Sequence, residues 1–204
     1  MSDFRFDPDT HTYYLDNRVL PGVTTVLSEW YKVGHVYYNV LTGQTVPGNI
    51  WEAAQDRGNA VHDMLKLCLI GQGVDRAVLH PDLLPYLKPI EDFITDYQPG
   101  YTLVEKPLCD KRKMYAGKPD FYGMVKGVKN PVLFDAKSGM AGNVRAQTSA
   151  YENLARIETG RLGPIDRYWL SIKPEGYRFE KIGTPQDFKY FCMKLSIYKY
   201  ERGL

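Results

Sequence analysis

The apolar and polar positions of this chain divide it into stretches with a two-residue period and stretches with a helical period. Residues 4–20 (F-R-F-D-P-D-T-H-T-Y-Y-L-D-N-R-V-L) alternate, with turn-forming residues at 7–10 and 16–17, which predicts a small β-meander with His11 at its first turn. Pro21-Gly22 ends it, and Thr24 or Thr25 is the candidate cap of a short helix reaching Trp30. Residues 31–48 are rich in Tyr, Gly and Val and keep neither period, so they read as a loop or short helical cover.

Helical spacing begins at 49 and runs to 70, with a stripe through Ile50 or Trp51, Ala54, Gly58, Val61, Leu65 and Leu69. Gly58 inside that helix predicts close packing against another backbone, because glycine otherwise costs a helix about 1 kcal/mol relative to alanine. His62 borders the stripe, either as a satisfied core histidine or as a ligand. A second helix spans 85–97, with Leu87, Ile90, Phe93 and Ile94 on one side. Strands follow at 101–109, 114–117, 121–125 and 132–137. Then come a break at 139–143 and a helix over 143–158 with Asn143 as its cap. Its stripe is Ala146, Ala150, Leu154 and Ile157, while Gln147 and Tyr151, four apart, share a flank. Strands at 166–172 and 177–182 and a helix over 185–201, carrying Phe188, Phe191, Cys192, Leu195 and Tyr198, complete the chain. The expected class is α/β: a mixed central sheet flanked by helices, with an N-terminal meander and a helical extension.

Composition excludes several classes. No run of about 18 apolar residues is present, so nothing reads as a membrane span. The opening M-S-D-F-R-F-D lacks the basic-then-apolar layout of a leader, which points to a cytoplasmic protein. Cys68, Cys109 and Cys192 are far apart and read as three buried free thiols, not as a zinc site or an iron–sulfur cluster. Charge is asymmetric: residues 1–100 hold 7 Lys/Arg against 13 Asp/Glu, a balance of −6, and residues 101–204 hold 19 against 11, a balance of +8. Lys106, Lys111, Arg112, Lys113 and Lys118 cluster in the basic half, as a solvated hairpin tip or as a surface for a polyanion.

The chemistry concentrates between 117 and 151. Strand residues two apart share a face, so Asp135 and Lys137 project together while Phe134 and Ala136 face the other way. A hairpin would bring Asp120 beside them, giving two carboxylates and an ammonium at a sheet end, a set that suits a divalent metal and an activated water. Glu105 reads either as an edge ion-pair partner or as a further ligand. Tyr31, Tyr37 and Tyr38 either pack as a lid or stack on bases.

Together these features resemble the PD-(D/E)XK nuclease superfamily, and within it the RecB-like, phage-type exonucleases. Pro119-Asp120 and Asp135-Ala136-Lys137 match the motif's core. Arg57-Gly58-Asn59-Ala60-Val61-His62 is similar to the family's G-x-x-x-H helix, Glu105-Lys106-Pro107-Leu108 to the strand before the hairpin, Gly117-Lys118-Pro119-Asp120 to the G-x-x-D strand, and Gln147 with Tyr151 to the Q-x-x-x-Y helix. The opening, with His11-Thr12-Tyr13 and Leu20-Pro21-Gly22-Val23-Thr24-Thr25, resembles phage-encoded members, which commonly have Ser where this chain has Gly22. The resemblance covers about residues 5–172.

It implies an α-β-β-β-α-β restriction-endonuclease-like core over 49–204, behind a meander and lid-like segment at 1–48. It implies that His62, Asp120, Asp135 and the Ala136 carbonyl hold Mg²⁺ or Mn²⁺, with Glu105 beside them and no iron–sulfur cluster. Lys137 would position or deprotonate water, Gln147 would orient the site, and Tyr151 would support the strand. Arg57, Lys111, Arg112, Lys113 and Lys118 would meet nucleic acid. The activity implied is a DNA exonuclease acting on ends or single strands in a bacterial or phage-infected cell, with a single-strand-annealing or recombination protein as the partner the resemblance suggests. A nicking or structure-specific endonuclease, and a non-catalytic DNA-end-binding module, are the other expectations; oligomeric state stays open.

Overall fold

A computed structural model describes residues 3–139 and 142–204. The meander forms as expected: β1 (Phe4–Asp7), β2 (Thr12–Leu15) and β3 (Arg18–Leu20) pair antiparallel in sequence order. Helix α1 (Val23–Leu27) is shorter than the pattern suggests, and its cap is Gly22, with neither Thr24 nor Thr25 in that role. The segment expected as a loop or helical cover is instead a second small sheet, β4 (Trp30–Val33), β5 (Val36–Asn39) and β6 (Thr45–Pro47). Helix α2 (Gly48–Leu69) follows, then a 3-10 turn (Pro81–Leu83) and α3 (Leu84–Tyr97).

The expected strand over 101–109 is two strands. β7 (Gly100–Val104) joins the main sheet, whereas β8 (Leu108–Asp110) pairs only with β9 (Tyr115–Gly117). The separation falls at Glu105, whose φ of 49° is uncommon for a residue with a side chain, and at Pro107, which has no N–H to donate. Next come β10 (Phe121–Met124), β11 (Val132–Lys137), α4 (Val144–Thr159), β12 (Asp166–Lys173), β13 (Gly176–Ile182) and α5 (Asp187–Arg202). Part of the predicted break at 139–143, residues 140 and 141, lies outside the described residues.

The molecule is therefore mixed α/β, with a five-stranded sheet in the order β13-β12-β11-β10-β7. Only β11 and β12 run parallel, and α4 makes the crossover between them. Alternation along the strands fills both faces. Phe121, Phe134, Ala136, Leu170 and Ile172 pack against Val61 and Leu65 of α2 and Ile90 and Phe93 of α3. Leu103, Tyr122 and Leu133 pack against α1, α4 and α5. The meander rests on β9 through Tyr13, Leu15, Leu20 and Ala116.

Several stripe positions depart from the pattern. Ile50 and Ile157 are exposed, and Ala54 lies on the exposed first half of α2. Gly58 approaches no backbone of another element among the described residues: a β-carbon there would meet only the Ser138 hydroxyl, at 3.7 Å. Asn143 occupies the cap position of α4 as expected, but its side chain makes no capping bond; its amide donates to the Leu27 carbonyl at 3.1 Å and to Glu29 Oε1 at 2.8 Å. The three cysteines are free but half-buried, not fully enclosed, and burial raises each thiol's pKa. Among the described residues, no helix is long and apolar enough to cross a membrane.

Candidate metal centre

Register alone brings three acidic residues to one level. Phe121 pairs with Val104 on one side and with Phe134 on the other. One step beyond, Asp120 therefore stands between Glu105 and Asp135. The Glu105 N–H still reaches the Pro119 carbonyl at 3.0 Å, but on the other side the Ala136 N–H turns to Asp120 Oδ2 at 2.7 Å. Backbone pairing stops where the carboxylates begin. The Ala136 group seen to act here is its amide N–H. Continuing across the sheet, Asp135 pairs with Trp169 and Lys137 with Ser171.

His62 reaches this level from α2. Its neighbour Val61 is buried in the α2/α3 core, and the His62 imidazole Nδ1 lies 3.4 Å from Asp120 Oδ2 and 4.0 Å from Glu105 Oε1. One ligand atom from each of His62, Glu105 and Asp120 falls within 4.8 Å of the others. Glu105 is thus a full member of the cluster. Asp135 lies alongside with other partners: Oδ1 accepts from Gln147 Nε2 at 2.6 Å, and Oδ2 is 2.6 Å from Lys137 Nζ. The Lys137 ammonium is the one close partner of the buried Asp135 Oδ2 among the described residues. Gln147 also donates to the Tyr151 hydroxyl at 3.3 Å, so the flank of α4 expected from the sequence does face the aspartates.

Electrostatics follow from this crowding. The Asp120 carboxylate holds the His62 imidazole charged, raised to about 9 against the opposing effect of burial. Burial pushes Asp120 upward, but the His62 charge and hydrogen bond, Lys137 and the Ala136 amide outweigh it and keep the group below the usual carboxylate range. Burial raises Asp135 to about 6; Lys137 opposes this and the Asp120 charge adds to it. Glu105 is raised by burial and by Asp120, against Lys118, whose ammonium contacts its carboxylate. Burial lowers Lys137, but Asp135 and Asp120 hold it above its ordinary value. Burial and the two aspartates keep the Tyr151 hydroxyl protonated.

These residues fit a divalent ion. Glu105 and Asp120 offer hard oxygens and His62 a nitrogen within one ion's reach, and Asp135 has a buried oxygen whose close partner is Lys137. The His62 proton and the contacts of Lys118 and Lys137 now balance that negative charge, so an ion would bind in competition with them.

The basic residues separate into groups. Lys118 stands at the cluster. Arg57 is exposed on α2, five residues before His62. Lys111, Arg112 and Lys113 occupy the β8–β9 turn, whose amides at Arg112 and Lys113 are held by Asp110 Oδ1. The ribbon carries this turn about three residues, or about 10 Å, beyond Gly117. The sequence reading missed two things here. One is Asn153, which ties the turn to α4 by donating to Asp110 and to the Tyr115 hydroxyl; only the register of β8 and β9 could have signalled it. The other is Trp169, whose buried indole N–H has no partner among the described residues.

Comparison with protein-family models gives no match, and comparison with curated proteins likewise gives none.

Proposed function

We propose that this chain is a metal-dependent deoxyribonuclease of the PD-(D/E)XK type, acting as an exonuclease on DNA ends or single strands. The observation that carries the reading is the common level of Glu105 just after β7, Asp120 just before β10 and Asp135 in β11, with His62 and Lys137 on the aspartates. The order α2-β7-β10-β11-α4-β12, with one parallel pair across the α4 crossover, supports an α-β-β-β-α-β core.

His62, Glu105 and Asp120, joined by Asp135, would hold Mg²⁺ or Mn²⁺, which supplies charge neutralisation at the scissile phosphodiester and acidifies the attacking water. The protein's own residues do the rest. Gln147 holds Asp135 Oδ1, so Oδ2, now on the Lys137 ammonium, is the oxygen that would turn to the ion or the water. Lys137, kept as an ammonium, orients water beside Asp135 and offsets negative charge developing on the phosphate. Tyr151 steadies Gln147 from behind. The lysines and arginines of the β8–β9 turn and Arg57 draw the polyanionic strand toward the site.

The test is incubation with end-labelled linear single- and double-stranded DNA and with circular single-stranded DNA, in Mg²⁺ or Mn²⁺, with and without chelator. Expected are products from linear DNA only, lost in chelator and in Asp135→Ala and Lys137→Ala. Absence of product with either ion overturns the nuclease reading. Cleavage that survives both substitutions overturns the assigned roles, and cutting of the circle makes the enzyme an endonuclease.

A further inference from the structure

Between the β8–β9 ribbon, the C-terminal half of α4 and the first strand of the meander lies a cavity of about 650 Å³, the size of a small-ligand site. Phe4, Pro107, Leu108 and Ile157 give it apolar walls, and the turn of the ribbon brings Arg112 to it. The turn is braced from two helices. Asp110 Oδ1 holds the Arg112 and Lys113 amides, Asp110 Oδ2 accepts from Asn153 of α4 at 2.9 Å, and Lys199 of α5 donates to the Lys113 carbonyl at 2.7 Å. The other carboxylate at the cavity, Glu158, is paired with Lys106. The Arg112 guanidinium has no partner among the described residues.

The cavity is also joined to the metal centre. Lys118, in contact with Glu105, lies 5.8 Å from the centre of the Phe6 ring. Phe4 stands two residues away on the same face of β1 and lines the cavity. Apolar walls beside an unpaired cation fit a ligand that is flat and apolar at one end and anionic at the other. We infer that this cavity holds one nucleotide of the DNA strand that reaches the metal centre, its base on Phe4 and Ile157 and its phosphate on Arg112; the inference rests on the nuclease reading. From Lys118 over Phe6 to Phe4 is on the order of 12 Å, so at about 3.4 Å per nucleotide the held base lies about three to four nucleotides from the strand end.

Fluorescence anisotropy with a labelled thymidine oligonucleotide of about eight residues tests this. Binding is measured on Lys137→Ala in Mg²⁺, which keeps the ion's ligands and leaves the strand uncut. Removing one base at a time should weaken binding about tenfold at the third or fourth nucleotide and less at the positions around it. Ile157→Asp, at a position 54% exposed that keeps the circular dichroism spectrum, should weaken the intact strand about tenfold and erase that positional loss. Arg112→Ala should weaken every oligonucleotide alike and flatten the salt dependence. Base loss felt equally at all positions or at none, or an Ile157→Asp variant without effect, overturns the inference. So does thymidine monophosphate that binds as tightly as the strand, which makes the ligand a free nucleotide, or an oligo-aspartate peptide that displaces the strand equally well. Cleavage by the unsubstituted chain separates the two readings. Cutting without positional loss overturns this inference alone, and positional loss without cutting in either ion overturns the nuclease reading alone.

Discussion

Gly117 sits where the candidate site has no room for one more carbon. A β-carbon added there would lie 2.6 Å from Tyr151 Cε1, 3.1 Å from Tyr151 Cδ1 and 3.0 Å from Val23 Cγ2. The ring of Tyr151 is 4% exposed and belongs to the α4 core, so it cannot swing away as a flexible chain end would. Gly117→Ala therefore forces the ring and α1 apart, an overpacking cost of about 2 kcal/mol. For a chain of this length that lowers the melting temperature by about 4–8 °C. Because the Tyr151 hydroxyl backs Gln147, and Gln147 holds Asp135, the same change should also weaken any metal bound at the cluster. Gly58→Ala is the contrast: its β-carbon meets only Ser138 Oγ at 3.7 Å in a helical interior, and it should stabilise by about 0.5–1 kcal/mol. Calorimetry on both variants measures the opposite signs. A double-mutant cycle with Tyr151→Leu isolates the clash, since Gly117→Ala should cost at least about 1 kcal/mol less once the ring is gone. Strict additivity in that cycle would refute the reasoning.

Titrating Mn²⁺ or Mg²⁺ should raise the melting temperature, by the equivalent of about 2.7 kcal/mol at a hundred times the dissociation constant, and Asp120→Asn should abolish the rise. Gln147→Ala should reduce initial cleavage rates about 10- to 100-fold, as loss of a group orienting a ligand does, and should lower stability by about 1–3 kcal/mol, because buried Asp135 Oδ1 loses its hydrogen bond. Arg167→Ala should destabilise by about 3 kcal/mol by denaturant titration, because the Arg167 side chain, 9% exposed, bridges Glu152 and the equally buried Asp187, which would keep only the longer contact to Arg145. Burial raises Asp187, but the Thr184 amide and hydroxyl and Arg167 outweigh it and hold the group below its ordinary 3.8. Its contribution is present above that value and lost as pH falls through the lower folded one. Asp187→Asn should flatten the acid limb of the stability curve below pH about 4.

What could be read from the sequence was what alternation and spacing encode. The β10–β11 hairpin, the shared face of Asp135 and Lys137, and the flank of Gln147 and Tyr151 all follow from periods of two and four. The sheet at 30–47 was invisible for a physical reason. One face carries Tyr31, Val33, Val36 and Tyr38, and the other mixes Trp30, Tyr37 and Val46 with Lys32 and Asn39, so neither face stands out as the apolar one along the sequence. Glu105 was underread because the apolar run through it looks like one strand, while its left-handed backbone ends β7 and delivers the carboxylate to Asp120. Asn143 takes the cap position that its residue type predicts, while the tertiary partners Leu27 and Glu29, which no local pattern encodes, claim its side-chain amide.

The three tryptophans fall into two places. Trp30 and Trp51 touch at 4.6 Å between ring centres, with Tyr37 stacked on Trp51, where the small sheet meets α2. Trp169 stands apart, beside Asp135 in register. The chain therefore carries its own optical reporters. Replacing Trp30 and Trp51 with phenylalanine leaves one emitter next to the carboxylate cluster, so the arrival of an ion can be followed by fluorescence without label or substrate. The complementary variant, Trp169→Phe, reads the small sheet alone and shows whether that sheet moves when DNA arrives.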